Sequence, residues 1–175
     1  MKITIYILTF LLFLSCKTTQ VDSEYPRTKT ITEFYKNSEI KSIGSIETDF
    51  LPFIKLRVGL WNEFYENGKL KETGIYKNDF YTGCGIASPT SITYIYKFGE
   101  WIFYYKNGQI KAKGKFDISE KEVKVSCGKP DKIKYGKINE SWKFYDELGN
   151  EITPSKSQIE LFEKNSSITE LEYSD

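Results

Sequence analysis

Trp61-Asn62-Glu63-Phe64-Tyr65-Glu66-Asn67-Gly68 is matched without a gap by Trp101-Ile102-Phe103-Tyr104-Tyr105-Lys106-Asn107-Gly108. Ile31-Thr32-Glu33-Phe34-Tyr35-Lys36-Asn37-Ser38 is a weaker copy before them, and Trp142-Lys143-Phe144-Tyr145-Asp146-Glu147-Leu148-Gly149 a weaker copy after them. One unit is therefore written four times, with lead residues at 31, 61, 101 and 142. A fixed unit with variable inserts is the mark of a repeat architecture. Asn-Gly between two alternating apolar runs signals a β-hairpin with a type I′ turn, whose two central residues both need positive φ.

That turn fixes a register. Tyr65 is expected opposite Leu70 and Trp61 opposite Gly74; in the next unit Tyr105 meets Ile110 and Trp101 meets Gly114. In the first unit Tyr35 meets Ile40 and Ile31 meets Gly44. A large side chain over a cross-strand glycine covers backbone that would otherwise be exposed. Ile46, Tyr76 and Phe116, two residues past each glycine, fall on the same face by strand alternation. The other face is expected to pair Phe34 with Lys41, Phe64 with Lys71 and Tyr104 with Lys111. These six residues are the candidate partner surface, either as a cationic ladder or as lysine stems covering aromatic rings.

The fourth unit departs from the pattern. Leu148 replaces the turn asparagine, Asp146 the tyrosine and Ser155 the glycine, as in a terminal capping copy. After Pro154, Ser155–Lys164 is expected to form one short helix with Ile159 and Phe162 on one side. The fold class is thus all-β: an elongated antiparallel sheet of successive hairpin repeats over 31–153, followed by a C-terminal tail, 154–175, carrying that helix.

Composition agrees. The chain has 175 residues, 39% hydrophobic and 28% charged, with 13 Tyr, 12 Phe and 3 Trp, and aromatics favour strands. It contains no histidine. Ser-His-Asp and Cys-His nucleophiles, His-ligated metals and a His general base are therefore unavailable. No cofactor and no catalytic or metal-binding residue is expected. An enzyme would need carboxylate chemistry, with pairs such as Glu63 and Glu72, facing each other across the second hairpin, as its acid and base. That pair has no counterpart in the third unit, where Phe103 faces Ala112.

The beginning of the chain reads as an address. Met1-Lys2 precedes an uncharged run, Ile3–Leu14, that ends at Ser15-Cys16, the pattern of a secretory signal. Twelve residues reach about 18 Å as a helix, against a hydrocarbon core of about 30 Å. The run Phe13-Leu14-Ser15-Cys16 resembles a bacterial lipobox, although Phe13 replaces the usual Leu. That resemblance implies removal of 1–15 and lipidation of Cys16, with 16–30 as a tether to a membrane. Without Met1–Ser15 the chain carries 24 basic and 24 acidic residues, so nucleic acid is not an expected partner.

The pattern carried by Gly59, Trp61, Asn67, Gly68, Gly74 and Tyr76, and again by Gly99, Trp101, Asn107, Gly108, Gly114 and Phe116, resembles the MORN repeat variant. The last copy contributes Trp142 and Gly149. The resemblance implies stacked antiparallel hairpins and no catalytic residue. Bacterial members are described as antitoxin-like, a role that would require a cytoplasmic toxin and conflicts with a signal peptide. Cys84 and Cys127, each followed by Gly in the inserts between hairpins, are candidates for a disulfide in an oxidising compartment, or else two inert thiols. Equivalent sites in adjacent hairpins would lie about 9.6 Å apart, beyond the roughly 7 Å limit for a bridge unless loops close the gap. The expected function is an envelope-anchored lipoprotein, periplasmic or surface-exposed, whose repeat sheet binds or scaffolds a protein or glycan partner. The alternatives are an antitoxin-like neutraliser and a carboxylate-dependent hydrolase.

Overall fold

The computed structural model describes residues 27–48, 56–85, 88–125 and 129–168. The proposed signal peptide, Cys16, Cys127 and most of the proposed tether lie outside the described residues. Strands β1 (Thr28–Phe34) and β2 (Ile40–Glu47) form the first hairpin, and β3 (Leu56–Phe64) and β4 (Leu70–Cys84) the second. The third is β5 (Pro89–Tyr104) with β6 (Ile110–Val123), and the fourth is β8 (Lys143–Tyr145) with β9 (Glu151–Ile152). All are antiparallel, in the order β1-β2-β3-β4-β5-β6-β8-β9. β1 begins at Thr28, so the last residues assigned to the tether already pair in the sheet.

The expected pairs Ile31 with Gly44, Trp61 with Gly74 and Trp101 with Gly114 are present. Nearer the turns the register differs. Phe34 pairs with Ile40, Phe64 with Leu70 and Tyr104 with Ile110, because a bulge adds one residue to the returning strand. The turn is consequently not type I′. The Gly68 N–H donates to the Tyr65 carbonyl and the Tyr65 N–H to the Lys69 carbonyl. Of the turn pair only Gly68 has positive φ, +77°. This is a type I turn closed by a glycine bulge, the three-residue solution to the same sequence signal. In the first hairpin Ser38 takes the left-handed position, with φ +68°.

A second bulge sits at each junction between hairpins. Gly44 pairs with Trp61 while Ser45 pairs with Val58, and Gly74 pairs with Trp101 while Ile75 pairs with Phe98. Gly59-Leu60 and Gly99-Glu100 are the residues left over, and both glycines have positive φ. Bulges bend a strand and increase its twist.

The segments between the second, third and fourth units are not loops. β4 and β5 remain paired as far as Cys84 and Pro89. The outer half of β6 pairs with β7 (Asp131–Lys137) from Asp117–Lys137 to Val123–Asp131. This β6–β7 ribbon packs on the β4–β5 extension around a second core of Tyr94, Tyr96 and Ile133. The main core is a layer on one face of the sheet: Trp61, Trp101, Trp142, Tyr76, Phe116 and Phe144 with Leu56 and Ile95.

Helix α1 (Lys156–Lys164) starts at Ser155, which accepts from the Gln158 N–H while the Gln158 side chain accepts from the Ser155 N–H. The capping box explains why the residue in the fourth glycine position is a serine. Phe162 of α1 lies 4.9 Å from Phe103 and 5.4 Å from Phe144, ring to ring. The chain then adds β10 (Ser167–Ile168) to β5 at Tyr96 and Ile95.

Candidate functional site

Each glycine in the ladder is covered, but by the tryptophan of the following hairpin. A Cβ at Gly44 would lie 2.1 Å from Trp61, at Gly74 2.1 Å from Trp101 and at Gly114 2.5 Å from Trp142. The same-hairpin cover expected from the register is corrected: the rings lean across the junction, where the extra residues at Gly59 and Gly99 bring them onto the preceding unit. Each ring then donates its Nε1–H backwards, Trp61 to Ser45 O at 3.0 Å, Trp101 to Ile75 O at 3.3 Å and Trp142 to Lys115 O at 2.9 Å.

The hairpin tips are tied the other way. Tyr35, Tyr65 and Tyr105 donate their hydroxyls to the carbonyls of Phe64, Tyr104 and Tyr145, each at 2.7 Å. Asn67 and Asn107 accept from the backbone of their own turns and donate to Lys106 O and Glu147 O of the next. The asparagines thus serve stacking between units rather than positive φ. In the fourth unit Asp146 stands where the tyrosine would be and accepts instead from the Leu148 and Asn150 N–H groups of its own turn.

The cross-strand pairs expected within the proposed partner surface are corrected. Phe34 is 60% exposed, and Phe64 and Tyr104 are half-buried. Their partners are Ile40, Leu70 and Ile110 rather than Lys41, Lys71 and Lys111, since the lysines occupy the bulges. Lys71 and Lys111 line the tryptophan face.

There they join the carboxylate pair. Glu63 and Glu72 do face each other. Arg57 Nη1 binds Glu63 Oε1, Lys71 Nζ lies 3.3 Å from Glu63 Oε2, and Lys97 Nζ lies 2.8 Å from Glu72 Oε1. Lys97 is buried, with its ammonium 4.2 Å from the centre of the Trp101 ring and 4.7 Å from that of Phe103. Arg57 stacks 4.3 Å over Trp61. Burial alone would raise the Glu63 carboxyl, but Arg57, Lys71 and Lys97 outweigh it and hold it below its ordinary value. Burial lowers the Lys97 ammonium, against the pull of Glu72 and Glu63. Burial would likewise lower Lys71, but Glu63 and Glu72 prevail and raise it. A carboxyl ionised by salt bridges suits electrostatic support better than proton donation, because a general acid must hold its proton near working pH.

Glu63, Lys71, Glu72 and Lys97 line one side of a cleft of about 620 Å³ whose other side is α1. Phe103, Phe162 and Leu161 provide its apolar surface, and Lys71, Lys111 and Lys164 stand along it. Arg57, Lys97 and Phe162 were not among the residues the repeat pattern singled out as a site. Lys97 carried a signal: in Tyr94-Ile95-Tyr96-Lys97 it has the parity of buried Ile95, and a charge at core parity calls for a buried partner. Phe162 carried none, since a helix after the last repeat does not announce where it docks.

Of the disulfide candidates, Cys84 ends β4 opposite Pro89, in a ladder rather than in a loop. The MORN repeat variant model matches residues 57–78 and 99–117. No curated protein and no solved structure matches the chain. The matched segments cover much of the second and third hairpins, the two that carry Trp, Asn-Gly and the covered glycine together, so the centre of this open antiparallel sheet is built from MORN repeat variants.

Proposed function

We propose that the protein is an envelope-anchored lipoprotein whose repeat sheet is a non-catalytic binding or scaffolding module for an envelope partner. The observation that carries the binding role is the cleft beneath α1. It has the size of a ligand site, about 300 to 1,000 Å³ in general. Glu63 and Glu72, the carboxylates that line it among the described residues, are each engaged by cations at 3.3 Å or less. MORN repeats generally act as binding or scaffolding modules, which favours the same reading. Anchoring through Cys16 rests on the lipobox-like sequence and on the near-neutral charge of the chain, which gives no electrostatic route to a membrane.

A disulfide between Cys84 and Cys127 belongs to this reading. The Thr82 N–H, two residues before Cys84, donates to the Asp131 carboxylate at 2.8 Å. The start of β7, four residues after Cys127, is thereby brought to the end of β4. This removes the objection based on equivalent sites in neighbouring hairpins, because the ribbon crosses the gap.

Mass spectrometry of the mature N-terminus tests the anchor. The expected product begins at a diacylglyceryl Cys16, and Cys16→Ala is expected to leave the membrane fraction. Equal membrane retention of the Ala variant would refute the assignment.

A further inference from the structure

The polar groups left over in the cleft are mostly donors. Glu63 and Glu72 are already held by Arg57, Lys71 and Lys97, and the Tyr65 hydroxyl donates to the Tyr104 carbonyl. Among the described residues, neither Lys111 nor Lys164 has a carboxylate partner. The Ser167 hydroxyl, buried on the cleft wall, likewise has no partner there. Lys71 comes from the second hairpin, Lys111 from the third and Lys164 from the end of α1, so three ammonium groups approach one cleft from different elements. Between them lie Phe103, Leu161 and Phe162. A neutral sugar needs acceptors for its hydroxyls as well as donors, and the two carboxylates here are engaged by cations. A ligand rich in acceptors and partly apolar satisfies both the ammonium groups and the rings.

We propose that this cleft binds an acidic peptide segment, its carboxylates held by Lys71, Lys111 and Lys164 and its apolar side chains laid on Phe103 and Phe162. The proposal rests on the reading of the sheet as a binding module and names the chemistry of its partner. Carboxylates two or more residues apart on an extended peptide can reach lysines on opposite walls while the side chain between them enters the cleft.

The test is fluorescence polarisation with labelled octapeptides composed of Glu, Asp, Leu and Phe, alongside their Gln and Asn counterparts and a tetrameric oligogalacturonate. The acidic peptides are expected to bind more weakly as salt rises, and the amide counterparts to bind at least about tenfold more weakly. Lys111→Glu and Lys164→Glu, both at exposed positions, are expected to weaken the acidic peptides by about tenfold each with an unchanged circular dichroism spectrum. Silence of every acidic peptide, equal binding of the amide counterparts, unchanged binding by both charge reversals, or capture of the oligogalacturonate alone would each overturn the proposal. Fractionation of Cys16→Ala uses no peptide, so failure of the cleft ligand and failure of the anchored module are read separately.

Discussion

A methyl group added at Gly114 would sit 2.5 Å from the Trp142 ring and 2.8 Å from its Cα, with no flexible side chain to yield. Gly114→Val is therefore expected to cost on the order of 1 to 3 kcal/mol by overpacking, whereas Lys113→Val, at the exposed neighbouring position, should stay within about 0.5 kcal/mol. Denaturant midpoints check the pair, and equal falls would refute the covering ring. The glycine in this ladder was legible from its repeat spacing; its cover was assigned to the wrong hairpin because the inserted Gly59 and Gly99 shift the next strand along. Glu63 gives a second prediction. Its folded pKa lies below its ordinary value near 4.5, so its salt bridges stabilise the fold fully above that value and lose their effect as pH falls through the folded one. Unfolding curves of the protein and of Glu63→Gln should thus differ at neutral pH, begin to approach below about pH 4.5 and converge only once pH has fallen through the lower folded value. A gap that persists at low pH would assign the cost to shape rather than charge. That Glu63 faces Glu72 could be counted from the turn, but Arg57 lies in β3 beyond the bulge at Gly59 and Lys97 lies in the next hairpin.

Between elements, the junctions are made of the same few bonds, and they can be removed one at a time. Tyr105→Phe deletes the 2.7 Å bond to the Tyr145 carbonyl while keeping the ring. The expected loss is about 0.5 to 1.5 kcal/mol, and Tyr65→Phe should match it because its bond to the Tyr104 carbonyl is the same length. Calorimetry of both variants checks the equivalence; no loss in either would show that water replaces the bond at no cost. Helix α1 was readable from Pro154 and the spacing of Ile159 and Phe162. Its docking was not, because nothing local distinguishes Phe162 packing on Trp142 from Phe162 facing solvent. The strand extensions were misjudged as inserts for a related reason. Tyr94, Tyr96 and Phe98 fall at alternate positions as residues on one side of a strand should, but that side faces the β6–β7 ribbon, and that contact lies far along the chain.

For the molecule as a whole, the proposed bridge would tie the two layers that the repeats alone do not join. A loop of about 44 residues gives roughly 4 kcal/mol in the chain-entropy account. Reduction should lower the unfolding temperature, and Cys84→Ser with Cys127→Ser should match the reduced protein. Two free thiols in peptide maps of protein from an oxidising compartment would remove the bridge and leave the hairpins in place. The all-β class and the succession of hairpins were legible because turn signals are local; the two-layered centre was not, because it depends on how one ribbon meets another. The stack also has a direction. The first three tips donate to the unit ahead, the three tryptophans lean on the unit behind, and Asp146 spends its acceptors on its own turn. Length is then a heritable variable with a stop codon of its own in three dimensions: duplication of an internal unit would insert between matching junctions, while any unit that trades tyrosine for aspartate ends the array.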